Sequence, residues 1–539
     1  MQHGIARPLT LVTALALAGS ASAQLQLDRL TSDLPAGSNL GRSVALSGGR
    51  ALAGAPYEDG ERGAAYVFDE LGSEWLETAR LAASDAQPLG LFGIDVAIDG
   101  DRAVVGSGQD AAYVFELQGT SWVETAVLSV AEPAVSFGVD VDLDGDRIAV
   151  GAAFDDDAGA NAGAVFVFEL QAGSWVQTAK LTAADGQPGD QFGGAVALAG
   201  DRLAVGALGE DGAGASSGAA YVFDRVGGVW QEAQKLVASD AAENAGFGTS
   251  VGLDGDRIVV GAQAADLAGA TSGAAYAFEL SGGVWSEAAQ LTPADLAAGD
   301  RLGFDVALAG DLALVGAYED DDFGAASGTA YVFQRSGGAW TQTSKLEASG
   351  QSAGDWLGFA VAADAGRGVV GAPRDDVVVS GNGSAYVFDL TSVELFGCGV
   401  NPGGSLRHIG GPPAVGAVWT LGVANPLGTQ PVGSGAFLVV SGAPLPTFPC
   451  GALLPDWGMA GPGALGELLV DLSSPNPLLV LGPELWLGPG TTAEFALGFP
   501  DVPSLAGTAF FFQALMRDPD GTLGVTLGLT EAMRATLLP

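Results

Sequence analysis

Positive charge is the most evident shortage in this sequence. Lysine occurs only at positions 180, 235 and 345, and Lys plus Arg number 21 against 63 Asp plus Glu, a formal net charge of −42 over 539 residues. Phosphate backbones, anionic lipid and sulfated polymers are held by clustered cations, so nucleic acid is excluded as a partner and no heparin-type patch is expected. Histidine is nearly absent, with His3 and His408 alone. No histidine cluster can hold zinc, and a Ser-His-Asp site would depend on His408 by itself. No phosphate-binding loop is present. Beyond residue 30 no run reaches the about 18 apolar residues of a membrane-spanning helix, which predicts a soluble chain without membrane insertion. Paired carboxylates are so common that their spacing singles out no glycosidase pair. Catalysis therefore finds little support, and a non-catalytic role is expected.

Cysteine is scarce as well, at Cys398 and Cys450 only. The first residues combine Arg7, an apolar stretch from Leu9 to Ala18 and the small-residue site Ala21-Ser22-Ala23. That order predicts a secretory signal peptide over 1–23, cut before Gln24, and a secreted or cell-surface protein. In an oxidising compartment the two cysteines are expected to form a disulfide, contributing roughly 4 kcal/mol by closing its loop in the chain-entropy account.

Glycine, with 84 residues, is abundant, and it recurs in register. Aligned on the glycine after an opening Phe or Leu, seven copies fall at Gly41, Gly93, Gly138, Gly193, Gly248, Gly303 and Gly358. A period of this size means stacked or radial units that cannot bury their apolar surface alone. Within 192–236, VALAGDRLAVGA reads as two strands about a Gly-Asp-Arg turn, AAYVFDR as a third, and a stretch opening at Trp230 and closing at Leu236 as a fourth. Four antiparallel strands repeated radially describe a propeller blade. Trp75, Trp122, Trp175, Trp230, Trp285 and Trp340 mark only six fourth strands, and the seventh unit stops after Phe388. Asp28-Arg29-Leu30-Thr31 resembles Ala179-Lys180-Leu181-Thr182, so the N-terminal strand is expected to complete the last blade and leave no open edge.

The succession Phe-Gly, Gly-Asp-Arg, Val-Gly-Ala and Gly-x-Ala-Tyr-Val-Phe resembles the FG-GAP repeat, the unit of integrin α-subunit propellers and of many exported bacterial proteins. "FG" stands at Phe92-Gly93, Phe137-Gly138, Phe192-Gly193 and Phe247-Gly248, and "GAP" at Gly54-Ala55-Pro56 and Gly371-Ala372-Pro373. The resemblance implies an all-β fold, a seven-bladed β-propeller over 24–390. The long Asp/Asn loop that holds calcium in integrin-type repeats has shrunk here to Gly-Asp-Arg, so those ligands do not carry over.

Calcium ligands are instead sought in the loop between the second and third strands. Acids cluster there at Glu58-Asp59, Asp155-Asp156-Asp157, Glu210-Asp211, Glu319-Asp320-Asp321-Asp322 and Asp375-Asp376. Carboxylates and glycine-exposed carbonyls supply the oxygens that Ca²⁺ prefers; the other reading is a solvated acidic face. No cofactor is required by either reading. Asp140-Val-Asp142-Leu-Asp144-Gly145-Asp146 resembles a calcium string, but Gly151 stands where the bidentate Glu belongs and the repeat places these acids on a strand and turn. The recurrent Trp is read as packing between blades, and Asp101, Asp146, Asp201, Asp256 and Asp311 as turn formers.

After Leu390 the repeat ends, and short apolar runs alternating with Pro/Gly turns predict a β-sandwich-like domain over 391–539. Together these features predict a secreted, monomeric, non-catalytic binding or adhesion protein that offers its loops to an extracellular protein or polysaccharide. The alternatives are an extracellular carbohydrate-active hydrolase or lyase, which would need acids converging on the central channel, and a structural component of the cell surface.

Overall fold

A computed structural model of the protein describes residues 26–390, apart from 73, 109, 131–135, 365 and 377–379, and the backbone of ten strands beyond 390. The leader over 1–23 and the Cys398–Cys450 pair lie outside the described residues, as do the side chains of 391–539. The ten strands form sheets of five, three and two.

Residues 26–390 form seven antiparallel sheets of four strands. In blade four these are Phe192–Ala199, Arg202–Ala207, Ala219–Val226 and Val229–Leu236. Blade seven takes Ala360–Asp364, Arg367–Ala372 and Ser384–Asp389 from one end of the propeller and Gln26–Leu30 from the other. Leu30 lies opposite Ala385 and Arg29 opposite Tyr386, the pairing expected from the resemblance of residues 28–31 to other fourth strands. The first strands adjoin all the way round, and Val44–Ser47 of blade one contacts Ala360–Asp364 of blade seven. The ring is closed.

The sequence of each strand matches its layer. Second and third strands are buried along most of their length, as Arg202–Ala207 and Ala219–Val226 illustrate, because blades cover both of their faces. Such strands read as continuous runs of Ala, Val, Leu and aromatics rather than alternating ones. The fourth strand forms the outer rim; Val229–Leu236 buries Trp230 and Leu236 and exposes most of what lies between.

The two repeated glycines have one cause. A Cβ on Gly206 would come within 2.1 Å of the Gly248 carbonyl oxygen in the next blade, and one on Gly371 within 2.0 Å of the Gly41 carbonyl where the ring closes. Gly248 itself has φ +89°, a conformation open to glycine. The "FG" phenylalanine anchors the same point from within its blade: Phe192 stands edge-on to Tyr221 and Phe223, at 5.5 and 5.8 Å. Aromatic pairs favour this geometry.

Candidate functional site

The acidic loops come to lie beside the residue that precedes the closing leucine of the fourth strand. In blade three Lys180 Nζ is 3.0 Å from Asp155 and also pairs with Asp157. In blade four Lys235 reaches Glu210 at 2.8 Å and Asp185 at 2.7 Å. In blade six Lys345 meets Asp320 and Asp295, each at 2.9 Å, and Asp322. Arg80 pairs with Glu58 at 2.9 Å in blade one, and Arg29 with Asp375 in blade seven. The three lysines of the chain thus occupy one structural position. Where blade five carries Ala265 in place of the acid, the strand carries Gln290, which donates instead to Asp240 at 2.9 Å.

These inner acids are buried: Asp155, Asp320 and Asp375 are 1, 2 and 4 % exposed. A buried carboxylate requires a partner, and a tyrosine hydroxyl often adds to the cation, as Tyr331 does to Asp320 at 3.1 Å. Burial opposes the charge on Lys235, but its hydrogen bonds to Asp185, Glu210 and Tyr221 outweigh burial and raise its pKa. In three of the loops the second acid caps the loop's own backbone. Asp156 accepts from the amide of Asn161, Asp211 from that of Ser216 and Asp376 from that of Gly381, at 2.7–2.8 Å. Glu319 pairs with Arg301 at 3.1 Å. The Asp321 carbonyl closes a turn by accepting from the Gly324 amide at 3.0 Å. Among the described residues no group of three or more His, Cys, Asp or Glu is disposed to hold a metal ion.

The Gly-Asp-Arg turns make a second ring of ion pairs, and the partners are in different blades. Arg202 donates to the Gly255 carbonyl at 2.8 Å and pairs with Asp256 of blade five at 3.0 Å, while Asp201 receives Arg147 of blade three at 3.0 Å. The Arg202 guanidinium also stands 5.2 Å from the ring of Trp285, which is buried in the cluster between blades four and five. The turn aspartates are therefore inter-blade partners as well as turn formers. Leu312 replaces this arginine in blade six, and residues 365–366 of the following turn carry no aspartate.

A third set of carboxylates lies on the innermost strands. Asp95 accepts from the amide of Val141 at 2.8 Å, Asp305 from that of Val361 at 2.7 Å and Asp142 from that of Leu198 at 2.6 Å, each in the next blade; Asp140 accepts from Val196 likewise. First strands are sheet edges whose inward N–H groups have no strand partner, and these acids satisfy them.

The same residues line a cavity of about 550 Å³ along the ring axis, within the range of small-ligand sites. The acids are enclosed by the ring yet half-exposed to the cavity. Burial pushes Asp142 and Asp305 up to about 7, with the backbone hydrogen bonds only partly offsetting it. Asp140 is likewise raised well above the usual carboxylate range, by burial and then by the charge of Asp95, with which it is in hydrogen-bonding reach. One cation shares the cavity. Burial lowers the pKa of Arg42, which feels Asp95 and Asp305 through space and bonds the Tyr57 hydroxyl, but forms no ion pair among the described residues.

The position after the repeat glycine forms the wall around that cation. It holds Ile94, Val139, Gly194 and Thr249 on one arc, and Phe304, Phe359 and Arg42, from the consecutive blades six, seven and one, on the other. The Arg42 guanidinium lies 4.4 Å from the Phe359 ring; Phe359 stacks on Trp356, and Arg374 covers Trp356 at 3.4 Å. Phe304 meets Phe359 at 4.6 Å and Tyr318 at 4.5 Å. Sequence reasoning assigned no role to Arg42, Asp95, Phe304, Asp305 or Phe359. Their signal was the variability of the two positions after the repeat glycine, visible only when those columns are compared one by one.

A search of curated proteins finds no match. The sequence profile of the FG-GAP repeat matches seven times, over residues 28–68, 75–117, 122–168, 175–223, 230–278, 285–333 and 340–388. Each match begins in a fourth strand and ends in the third strand of the following blade, the same one-strand stagger that closes the ring through Gln26–Leu30. This chain belongs to the FG-GAP repeat family.

Proposed function

We propose that the protein is a secreted or cell-surface binding protein without catalytic activity, which engages an extracellular protein or polysaccharide through the mouth of the axial cavity and the unequal loops around it. A closed FG-GAP propeller is a binding type of scaffold, and among the described residues no helix is long and apolar enough to cross a membrane. The observation that carries the reading is the make-up of the wall position after the repeat glycine, which is unlike from blade to blade and places Phe304, Phe359 and Arg42 side by side on the cavity. Residues shared by all blades maintain the ring, whereas a variable position facing the cavity is free to serve a ligand. The test is retention of the protein on a panel of extracellular polysaccharides and surface proteins, with soluble products assayed in parallel.

The carbohydrate-active alternative is favoured by one observation, the convergence of Asp95, Asp140 and Asp305 on the cavity. Against it, Asp95 and Asp140 are in hydrogen-bonding reach of each other, closer than the about 5 Å or more between the carboxyl groups of glycosidase pairs. Release of oligosaccharide that is abolished in Asp140→Asn would overturn the binding reading.

A further inference from the structure

We infer that the Phe304–Phe359–Arg42 arc of the axial cavity holds a neutral, hydroxyl-rich ring, one sugar unit of an uncharged oligosaccharide or polysaccharide. This rests on the binding reading above and specifies its ligand.

Three observations converge. Arg42 is half-buried and carries five N–H donors; among the described residues its side chain bonds the Tyr57 hydroxyl and forms no ion pair. It is held in place by the stack Arg42–Phe359–Trp356–Arg374, so its remaining donors are presented without a rotamer search. Phe304 stands half-exposed in the same wall, an apolar surface of the kind that sugar C–H groups cover.

The charges narrow the class. A cation entering the cavity meets Arg42, and an anion meets Asp95, Asp140 and Asp305. A polyol meets neither penalty: each hydroxyl donates to a carboxylate and accepts from the guanidinium. Buried polar groups gain most from a ligand that satisfies donors and acceptors together.

Trp356 has φ +60°, at a position where every repeat has positive φ and the others place Asn39, Leu91, Ser136, Gln191, Gly246 and Arg301. The turn of the repeat thus sets the indole against Phe359, and through Phe359 it supports Arg42.

The test is calorimetric titration of the full-length protein with uncharged oligosaccharides (gluco-, manno-, xylo- and chito-oligomers), hexuronate oligomers and oligomers of glucosamine. Phe304→Val and Arg42→Thr install what blades three and five already tolerate at this position, Val139 and Thr249, so folding is preserved and checked by melting. Binding of an uncharged oligomer, weakened at least tenfold in each variant at unchanged melting temperature, is the expected result. Three outcomes overturn the inference and leave the binding reading intact: binding only of charged oligomers, capture of a protein with no saccharide bound, or saccharide binding unchanged in both variants. Conversion of the oligomers to products would overturn the binding reading itself.

Discussion

Replacing Lys345 by Gln is expected to cost about 3 kcal/mol of stability, and replacing Asp320 by Ala in the same chain is expected to restore most of it. Lys345 is 7 % and Asp320 3 % exposed at the side chain, with Asp295 and Asp322 on the same ammonium. Removing one member of a buried pair typically costs about 3–5 kcal/mol, because the other charge remains desolvated. Asp320 would retain the Tyr331 hydroxyl and the Asp322 amide, which places the loss at the lower end. The double variant copies blade five, where Ala265 faces Gln290 and the amide bonds Asp240; Asp295 stands in the place of Asp240 and is free to take the same bond. Urea unfolding of the two single variants and the double one measures the coupling. Arg62→Gln serves as the exposed control, since Asp59 is 66 % exposed at the side chain and such pairs contribute about 0–1 kcal/mol. If Lys345→Gln costs no more than Arg62→Gln, or if the double variant is as weak as the single, the argument that burial makes this lysine obligatory is wrong.

Asp142 and Asp305 have folded values raised to about 7 against about 3.9 in an unfolded chain. In that window the native state binds more protons, so the contribution of these acids is present below pH 4 and lost as pH rises towards 7. The groups facing Asp305 include Asp95 and Arg42. Asp305→Asn is therefore expected to gain stability relative to wild type between pH 5 and pH 8 in denaturant titrations; a difference that is flat with pH would show Asp305 ionised throughout. Gly371→Ala places a Cβ 2.0 Å from the Gly41 carbonyl and should cost at least the about 1–3 kcal/mol of an overpacked core, whereas Gly200→Ala, with nothing within 4 Å, should lose only the about 1–2 kcal/mol of a left-handed residue. Equal losses would refute the inter-blade explanation of the repeat glycines. For calcium at the acidic loops, melting curves in chelator and in millimolar Ca²⁺ are expected to coincide, because Lys180, Lys235 and Lys345 already occupy Asp155, Glu210 and Asp320. A rise of several degrees with Ca²⁺ would show that the loops take a metal in addition.

Much of the ring was legible because it is built from local signals. VALAGDRLAVGA and AAYVFDR place three consecutive strands within about thirty residues, and hairpin pairing needs only neighbouring sequence. The missing seventh Trp and the stray Asp28-Arg29-Leu30 sufficed to place the closing strand. Partnerships were much harder to read. Asp201 and Arg202 are adjacent, yet they serve opposite neighbours, Arg147 in blade three and Asp256 in blade five. The acidic loops were legible as acidic but not as neutralised, although the exchange of Asp155 with Lys180 for Ala265 with Gln290 was written in the repeats.

Periodicity determined by itself the fold class, the number of blades and the order of strands, because each depends on local propensity and on repetition. Tertiary structure alone decided which charges meet. Winding seven units into a ring brings the residues after Gly41, Gly93, Gly138, Gly303 and Gly358 to one axis from more than three hundred residues of chain, and there Asp95, Asp140 and Asp305 share a cavity with Arg42, Phe304 and Phe359. Electrostatic coupling and cavity shape depend on distance in space, which no single repeat encodes.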